Sequence, residues 1–395
     1  MSQNGIAREV FWAMNILIKD NMCTIYKVIL HRVQRYLQQN GHEIVSTADH
    51  ADVVIVGLCA GFEADENRSI QLIRTYDTSQ KPLIAYGCLT QVAPETEWGG
   101  GTLTYPSWDY QRLAEDLVPN PVIQWNSVPL PTNFRAREDY RVYNPKRHFV
   151  GISSGCSFAC SYCPHKIGAG DIVSRLPSEI ISTVQELIDD KAETIIITGT
   201  DTAAYGRDIN YSFPRLAHDI LGIPNNFTKF HIAQFNPEGL FDELSTMIDC
   251  CSNKLVADIQ LPIQTTSVRL LQLMNRKYSP EGVKGFIEKV REMNTELMFR
   301  TDLMVGFPTE TENELEDTID FAVQYFDEIA VYAFEYKHCV PLASLNLHIF
   351  PPQEIQRRQD YARERLKSAG KLVHSGGQDI ESLLLSDNTK ETFRK

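Results

Sequence analysis

From His148 onward, short apolar segments alternate with amphipathic helical ones, and this alternation constrains the fold more than any other feature of the chain. The apolar segments are His148 to Ser153, Thr194 to Thr198, Lys229 to Gln234, Leu255 to Pro262, Leu297 to Val305 and Glu328 to Tyr336. Helical patterns separate them, as in Ser178 to Asp189, where Ile180, Ile181, Val184, Leu187 and Ile188 share one face. Another runs from Glu312 towards Tyr325 and opens with Thr311 and Glu314 in capping-box spacing. Alternation of this kind builds parallel strands with right-handed crossovers. Six such units predict an open, partial (βα)6 barrel, with function at the carboxyl ends of its strands.

The first 117 residues predict a separate parallel α/β domain with strands at Asn15 to Lys19, Asp52 to Gly57 and Pro82 to Tyr86. A helical stripe of Ile25, Ile29, Val33, Tyr36 and Leu37 lies between the first two. Residues 118–147 are rich in proline and lack a sustained period, which predicts a linker. The barrel is expected over 148–350 and a short helical C-terminal extension over 351–395.

With 38 Lys+Arg against 51 Asp+Glu the net charge is −13, which argues against nucleic acid as a partner, since a phosphate backbone is held mainly by Lys and Arg. Arg135, Arg137, Arg141, Lys146 and Arg147 form a local basic stretch, read as solvated linker charge rather than a phosphate site. No apolar run approaches the roughly 18 to 20 residues of a membrane span, and no secretion signal stands out, so a cytoplasmic protein is expected.

Nine cysteines are too few for a disulfide scaffold, and nine is odd. Cys23, Cys59 and Cys88 each follow one of the three N-terminal strands. Ligands of open parallel sheets bind beyond the strands' carboxyl ends, so these thiols are candidates for one shared ligand, with three separately buried cysteines as the alternative. After the first barrel strand stand Cys156, Cys160 and Cys163 in Cys-x3-Cys-x2-Cys spacing, with Tyr162 before the last. Three thiolates on one loop can hold three irons of a four-iron cluster and leave the fourth open. The alternative is a zinc site with His165 as fourth ligand. Cys250 and Cys251 read as structural, Cys339 as a rim cysteine, and His165 and His338 as solvated loop histidines.

Cys156, Cys160, Tyr162 and Cys163 resemble the hallmark of radical S-adenosylmethionine enzymes, and the three earlier cysteines narrow the resemblance to the methylthiotransferases. Colinear with these are Ala51 to Cys59, Ala85 to Gln91, Gly170 to Arg175, Asp201 to Asp208, Leu273 to Arg276 and Val305 to Thr311, each similar to a segment of that family. Two segments depart from the pattern: Asn21-Met22-Cys23-Thr24 at the first cysteine, and Tyr336 to Leu342 at the end of the sixth strand. The family's C-terminal TRAM barrel, which grips transfer RNA or a ribosomal protein, has no counterpart in the pattern after Tyr336.

The resemblance implies two [4Fe-4S] clusters, a radical-forming one on Cys156, Cys160 and Cys163 and an auxiliary one on Cys23, Cys59 and Cys88, with the two sites facing each other. It implies S-adenosylmethionine chelated at the open iron, reductive cleavage to methionine and a 5′-deoxyadenosyl radical, and conversion of a C–H bond to C–S–CH3. A flavodoxin- or ferredoxin-type protein is the expected reductant. Tyr162, Gly199, Asp201, Gln264, Arg300 and Asp302 are candidate cofactor or substrate contacts because they lie at or near strand ends, Arg300 as a partner for the cofactor carboxylate. The acidic balance and the missing RNA-gripping module favour a peptide or protein side chain as substrate. Modification of transfer RNA, insertion of sulfur without methylation, and a non-catalytic cluster protein are the alternatives.

Overall fold

The computed structural model describes residues 13–77, 81–94, 98, 101–132 and 146–375. The chain divides into two compact units, Met1–Pro131 and Thr132–Lys395.

The first unit is built on a parallel sheet of β1 (Asn15–Asp20), β2 (Glu43–Val45), β3 (Val53–Leu58), β4 (Leu83–Gly87) and β5 (Leu103–Tyr105), in the order β2-β1-β3-β4-β5. Its helices are α1 (Thr24–Gln39), α2 (Glu63–Asp77), α3 (Leu89–Val92) and α4 (Tyr110–Leu117). This is a doubly wound order, with its switch point between β1 and β3. The central strands read as unbroken apolar runs, Val-Val-Ile-Val-Gly-Leu and Leu-Ile-Ala-Tyr-Gly, because both faces are covered. Part of the proline-rich stretch is not loose chain. Trp125 and Val128 are buried, and Arg32 on α1 donates to their carbonyls at 3.2 and 2.7 Å while stacking over the indole at 4.3 Å. Residues 133–145, with Arg135, Arg137 and Arg141, lie outside the described residues.

The second unit contains β6 (Arg147–Ser154), α5 (His165–Ala169), β7 (Val173–Ser174), α6 (Pro177–Asp189), β8 (Thr194–Gly199), α7 (Phe213–Leu221), β9 (Lys229–Ile232), α8 (Leu244–Ser252), β10 (Val256–Gln260), α9 (Val268–Leu273), α10 (Pro280–Met293), β11 (Met298–Val305), α11 (Glu312–Tyr325), β12 (Glu328–Ala333), α12 (Pro352–Ser368) and β13 (Leu372–Ser375). The sheet order is β13-β12-β11-β10-β9-β8-β6-β7, parallel except for β7. The six expected strands are all present, and α11 carries the expected Thr311–Glu314 capping box. The C-terminal extension adds a strand to its helix: β13 pairs in parallel with β12, so the open sheet gains one more strand. Residues 376–395 of that extension lie outside the described residues.

Strand alternation sorts the barrel's two faces. Ile195, Ile197, Phe230, Ile232, Ile259, Phe299, Leu303, Ile329 and Val331 pack in the main core with the helices. The alternate residues, Ser153, Thr198, His231, Asp258, Gln260, Arg300, Asp302 and Glu328, line the other face, which is polar and mostly buried. Among the described residues no helix is long and apolar enough to cross a membrane.

Candidate active site

The three N-terminal cysteines stand beyond the carboxyl ends of three adjacent strands, β1, β3 and β4. Gly87 brings two of these ends together. Its φ is 129°, and a Cβ there would lie 2.3 Å from the Leu58 carbonyl oxygen, a closeness only glycine tolerates. That carbonyl accepts the Cys88 N–H at 3.0 Å, next to Cys59 in the chain. Ser69 on α2 ties in the third: its hydroxyl accepts the Cys59 N–H at 3.0 Å, donates to the Cys59 carbonyl at 2.7 Å, and accepts from the Asn21 carboxamide at 3.2 Å. Asn21, at the departure from the expected first cysteine motif, therefore anchors the Cys23 turn to the Cys59 turn. The thiols sense one another: burial is the main cause of the raised Cys59 and Cys88 titration, and neighbouring Cys59 and Cys23 lift Cys88 further.

In the barrel, Cys156, Cys160 and Cys163 occupy the loop after β6, all half-buried. Gly155 turns the chain out of the strand with φ 73°, and a Cβ there would lie 1.9 Å from the Asp171 carbonyl oxygen. The Gly170–Arg175 segment then returns as β7 along β6, and the Arg175 side chain donates to the Gly151 carbonyl at 2.7 Å. The other side of the loop rests on the Leu273–Arg276 turn. Ser161 donates to the Met274 and Leu273 carbonyls at 2.9 and 2.6 Å, and Asn275 donates to Ala159 at 2.7 Å. Arg276, 8% exposed, fans out to the Cys160 thiol at 3.7 Å, the Tyr162 hydroxyl at 3.3 Å, Asn236 Oδ1 at 3.0 Å and the Pro262 carbonyl at 2.7 Å.

Burial pushes all three loop thiols up, Cys160 to about 11 despite the Arg276 charge beside it. Thiols placed this way become thiolates when a bound cation compensates them, as iron does. Among the described residues no three Cys, His, Asp or Glu side chains converge on one ion position, and His165 is exposed at the start of α5. Thiolates of a four-iron cluster each take a different iron and need not meet at a point.

The remaining predicted residues separate by location. Gly199 ends β8, and a Cβ there would touch Ser153 Oγ at 2.7 Å, so the strand ends approach closely. Asp201 follows, 3.9 Å from the Cys156 thiol, capping the next turn through the Ala203 N–H at 3.0 Å; burial lifts its carboxyl to about 7. Tyr162 leans edge-on against Phe307 at 6.3 Å, in an apolar cluster with Met274, Phe334 and Leu342. Gln264 lies just beyond β10 in left-handed backbone, with its N–H on the Asp302 carbonyl at 2.8 Å. Arg300 sits near the start of β11 and is already engaged, with Nη2 2.6 Å from Asp258, which also pairs with His231. Asp302 accepts from Gln260. Cys250 and Cys251 are buried in α8, while Cys339 and His338 are exposed beyond β12. Arg276, Ser69, Gln234 and Gln260 were not singled out by sequence; only Arg276 had a signal, its place in the Leu273–Arg276 motif.

An open parallel barrel with a three-cysteine loop after its first strand, preceded by a doubly wound unit with a second thiol trio, defines a radical S-adenosylmethionine class of architecture. Residues 150–322 match the radical SAM superfamily, and residues 16–98 match the uncharacterized protein family UPF0004. The ribosomal protein uS12 methylthiotransferase RimO of Caldicellulosiruptor saccharolyticus is 31% identical over 327 residues, 78% of this chain and 73% of the relative. RimO of Prochlorococcus marinus strain MIT 9312 is 30% identical over 85% of this chain and 75% of its own. The probable threonylcarbamoyladenosine tRNA methylthiotransferase of Methanocaldococcus jannaschii is 27% identical over 79% and 73%. Among solved structures, the radical S-adenosylmethionine methyltransferase TsrM of Kitasatospora setae shares the fold with a TM-score of 0.61 at 12% identity, covering 84% of this chain and 75% of its own. The chain belongs to the radical SAM methylthiotransferase family. It is accordingly an enzyme that uses S-adenosylmethionine and a [4Fe-4S] cluster, with the second cluster of the methylthiotransferases.

Proposed function

We propose that this enzyme installs a methylthio group on a side chain of a peptide or protein, with Cys156, Cys160 and Cys163 holding the radical-forming cluster and Cys23, Cys59 and Cys88 the auxiliary one. The observation that carries the reading is the pair of thiol trios, each gathered beyond the carboxyl ends of parallel strands. When bound, the clusters and cofactor supply the one-electron chemistry and the sulfur and methyl groups of the product. The chain's own residues do the rest. Arg276 fixes the Cys160 and Tyr162 end of the barrel loop, Lys166 holds its start through the Cys156 carbonyl at 2.8 Å, and Asp201 and Gly199 shape the floor beside it. Gln264 and Asp302 are assigned to the barrel mouth with the cofactor, whereas Arg300, paired with Asp258, is left a smaller part than its sequence position suggested.

A protein substrate accords with the uS12 named by several relatives and with the net charge of −13. Of the described basic stretch, Lys146 is tied to Glu193 and Arg147 is buried, so neither presents a phosphate-binding edge. A transfer RNA substrate is the second reading, carried by the name of the Methanocaldococcus relative. A flavodoxin- or ferredoxin-type reductant and a cytoplasmic setting fit oxygen-sensitive clusters. The test is anaerobic incubation of reconstituted protein with methyl-deuterated S-adenosylmethionine and either recombinant ribosomal protein uS12 or bulk transfer RNA. A labelled methylthio group on the protein supports the proposal. Label in the RNA alone, or sulfur added without label, contradicts it.

A further inference from the structure

Two glutamines at neighbouring strand ends of the barrel stand in a backbone conformation that residues with a Cβ rarely adopt, and a buried polar pair holds the first of them. Gln234, exposed just past β9, has φ 55°; Gln264, 8% exposed just past β10, has φ 64°. Left-handed backbone at a non-glycine residue costs free energy that the surroundings must offset, and such residues cluster at functional sites. Beneath them, Gln260 Nε2 donates to both Asp302 carboxylate oxygens at 3.0 and 3.1 Å. Gln260 Oε1 accepts the Gln234 N–H at 3.1 Å, and the Asp302 main-chain carbonyl accepts the Gln264 N–H at 2.8 Å. The Gln234 carbonyl in turn accepts the Thr202 N–H at 3.0 Å, one residue beyond Asp201.

Gln260 is 2% and Asp302 7% exposed. A buried amide and carboxylate are not needed to hold β10 against β11, whose main chains already pair; apolar residues of similar volume serve cores at least as well. What the polar pair adds is a fixed position for the Gln234 turn, through Gln260 Oε1; the Gln264 turn is held by the main chain of the neighbouring strand.

We propose that Gln260 and Asp302 are a positioning pair for S-adenosylmethionine. By holding Gln234 in its left-handed turn, beside the main-chain-held turn of Gln264, they set the point from which the Gln234 carboxamide, a donor and an acceptor, meets the cofactor. The inference rests on the assignment of the cofactor to this barrel mouth.

The test uses the reconstituted full chain and three variants: Asp302→Leu, Asp302→Asn and Gln234→Gly. S-adenosylmethionine is titrated against the electron paramagnetic resonance signal of the reduced cluster, with 5′-deoxyadenosine release and melting temperature measured alongside. Displacements of about 1 Å cost up to about a hundredfold in such sites, so Asp302→Leu is expected to need about tenfold more cofactor or worse. Asp302→Asn still accepts from Gln260 and stays within about threefold of wild type. Gln234→Gly melts no lower than wild type, because glycine adopts this φ freely, yet needs more cofactor. An Asp302→Leu titration matching wild type, or a Gln234→Gly variant that loses stability while titrating normally, overturns the positioning role. If wild type itself shows no spectral change on adding cofactor, the cofactor assignment falls and the pair's role falls with it.

Discussion

Two trios of thiols reach the same kind of arrangement by opposite routes. In the barrel the three cysteines lie on one loop, and their spacing in sequence nearly fixes their spacing in space. In the N-terminal unit they lie on three separate strand ends, and only the sheet's register brings them together. The local trio depends on outside support to give its loop a shape, chiefly Arg276 and the Leu273–Arg276 turn. The dispersed trio depends on close backbone approach at Gly87 and on a single hydroxyl, Ser69, that links two of the turns. A local site is therefore damaged through its supports, a dispersed one through the fold.

The comparison is sharpest at the cysteines themselves. Cys156→Ala is expected to reduce 5′-deoxyadenosine release to background, whereas Cys59→Ala leaves that release intact and removes the methylthiolated product. Each lowers iron from about eight to about four per chain. Chromatographic assay of the nucleoside and iron analysis separate the two. If both variants lose cofactor cleavage equally, the trios are not independent sites.

Arg276→Leu comes next. It leaves the Asn236 side chain and the Pro262 carbonyl without their buried donor, an expected loss of about 3 kcal/mol by denaturant titration, together with iron from the barrel site. Arg276→Lys recovers only part of the loss, since an ammonium lacks the planar fork that serves four partners.

Gly87→Ala and Gly155→Ala then compare the two backbones directly. Each forces a Cβ against a carbonyl oxygen in left-handed backbone, and each is expected to cost about 2 kcal/mol or more. Gly87→Ala should lose iron only from the N-terminal trio, Gly155→Ala only from the barrel trio. Loss from both in either variant would break the comparison.

The smallest effect concerns the second unit away from its thiols. Glu310 accepts the Gly306 N–H at 2.9 Å and pairs with Arg358 of α12 at 3.0 Å, fastening the C-terminal helix to the turn after β11. Burial lifts its carboxyl from 4.5 to about 7, against the pull of the N–H and the arginine. The folded chain thus holds a proton that the unfolded chain releases, so this group's contribution falls as pH rises from about 4.5 to about 7. Glu310→Gln should flatten that part of the stability profile, read by thermal melting across the range; an unchanged slope would remove Glu310 as its source.

These contrasts also mark what the sequence made legible. The barrel loop and its six strands were readable because the signals are local: a fixed cysteine spacing and strong period-two and period-3.6 patterns. Of Cys23, Cys59 and Cys88 only the placement at strand ends was readable; that Asn21 and Ser69 link two of those ends was not, because both are ordinary residues in sequence. Strand β13 fell inside the expected helical extension since Leu-Val-His-Ser is too short to show a pattern, and it exists by pairing with β12. Trp125 was placed in a linker because prolines surround it, although its indole and the Arg32 cation hold that stretch to α1. Gln234 carried no signal at all, as glutamine is not a residue that marks left-handed backbone.

Iron and acid-labile sulfide per chain, measured on the anaerobically reconstituted protein and on a variant with Cys23, Cys59 and Cys88 all changed to alanine, test the two-site account most directly. The account predicts about eight irons in the first and about four, with cofactor cleavage retained, in the second. Four irons in both proteins, or one zinc and no iron, would contradict it.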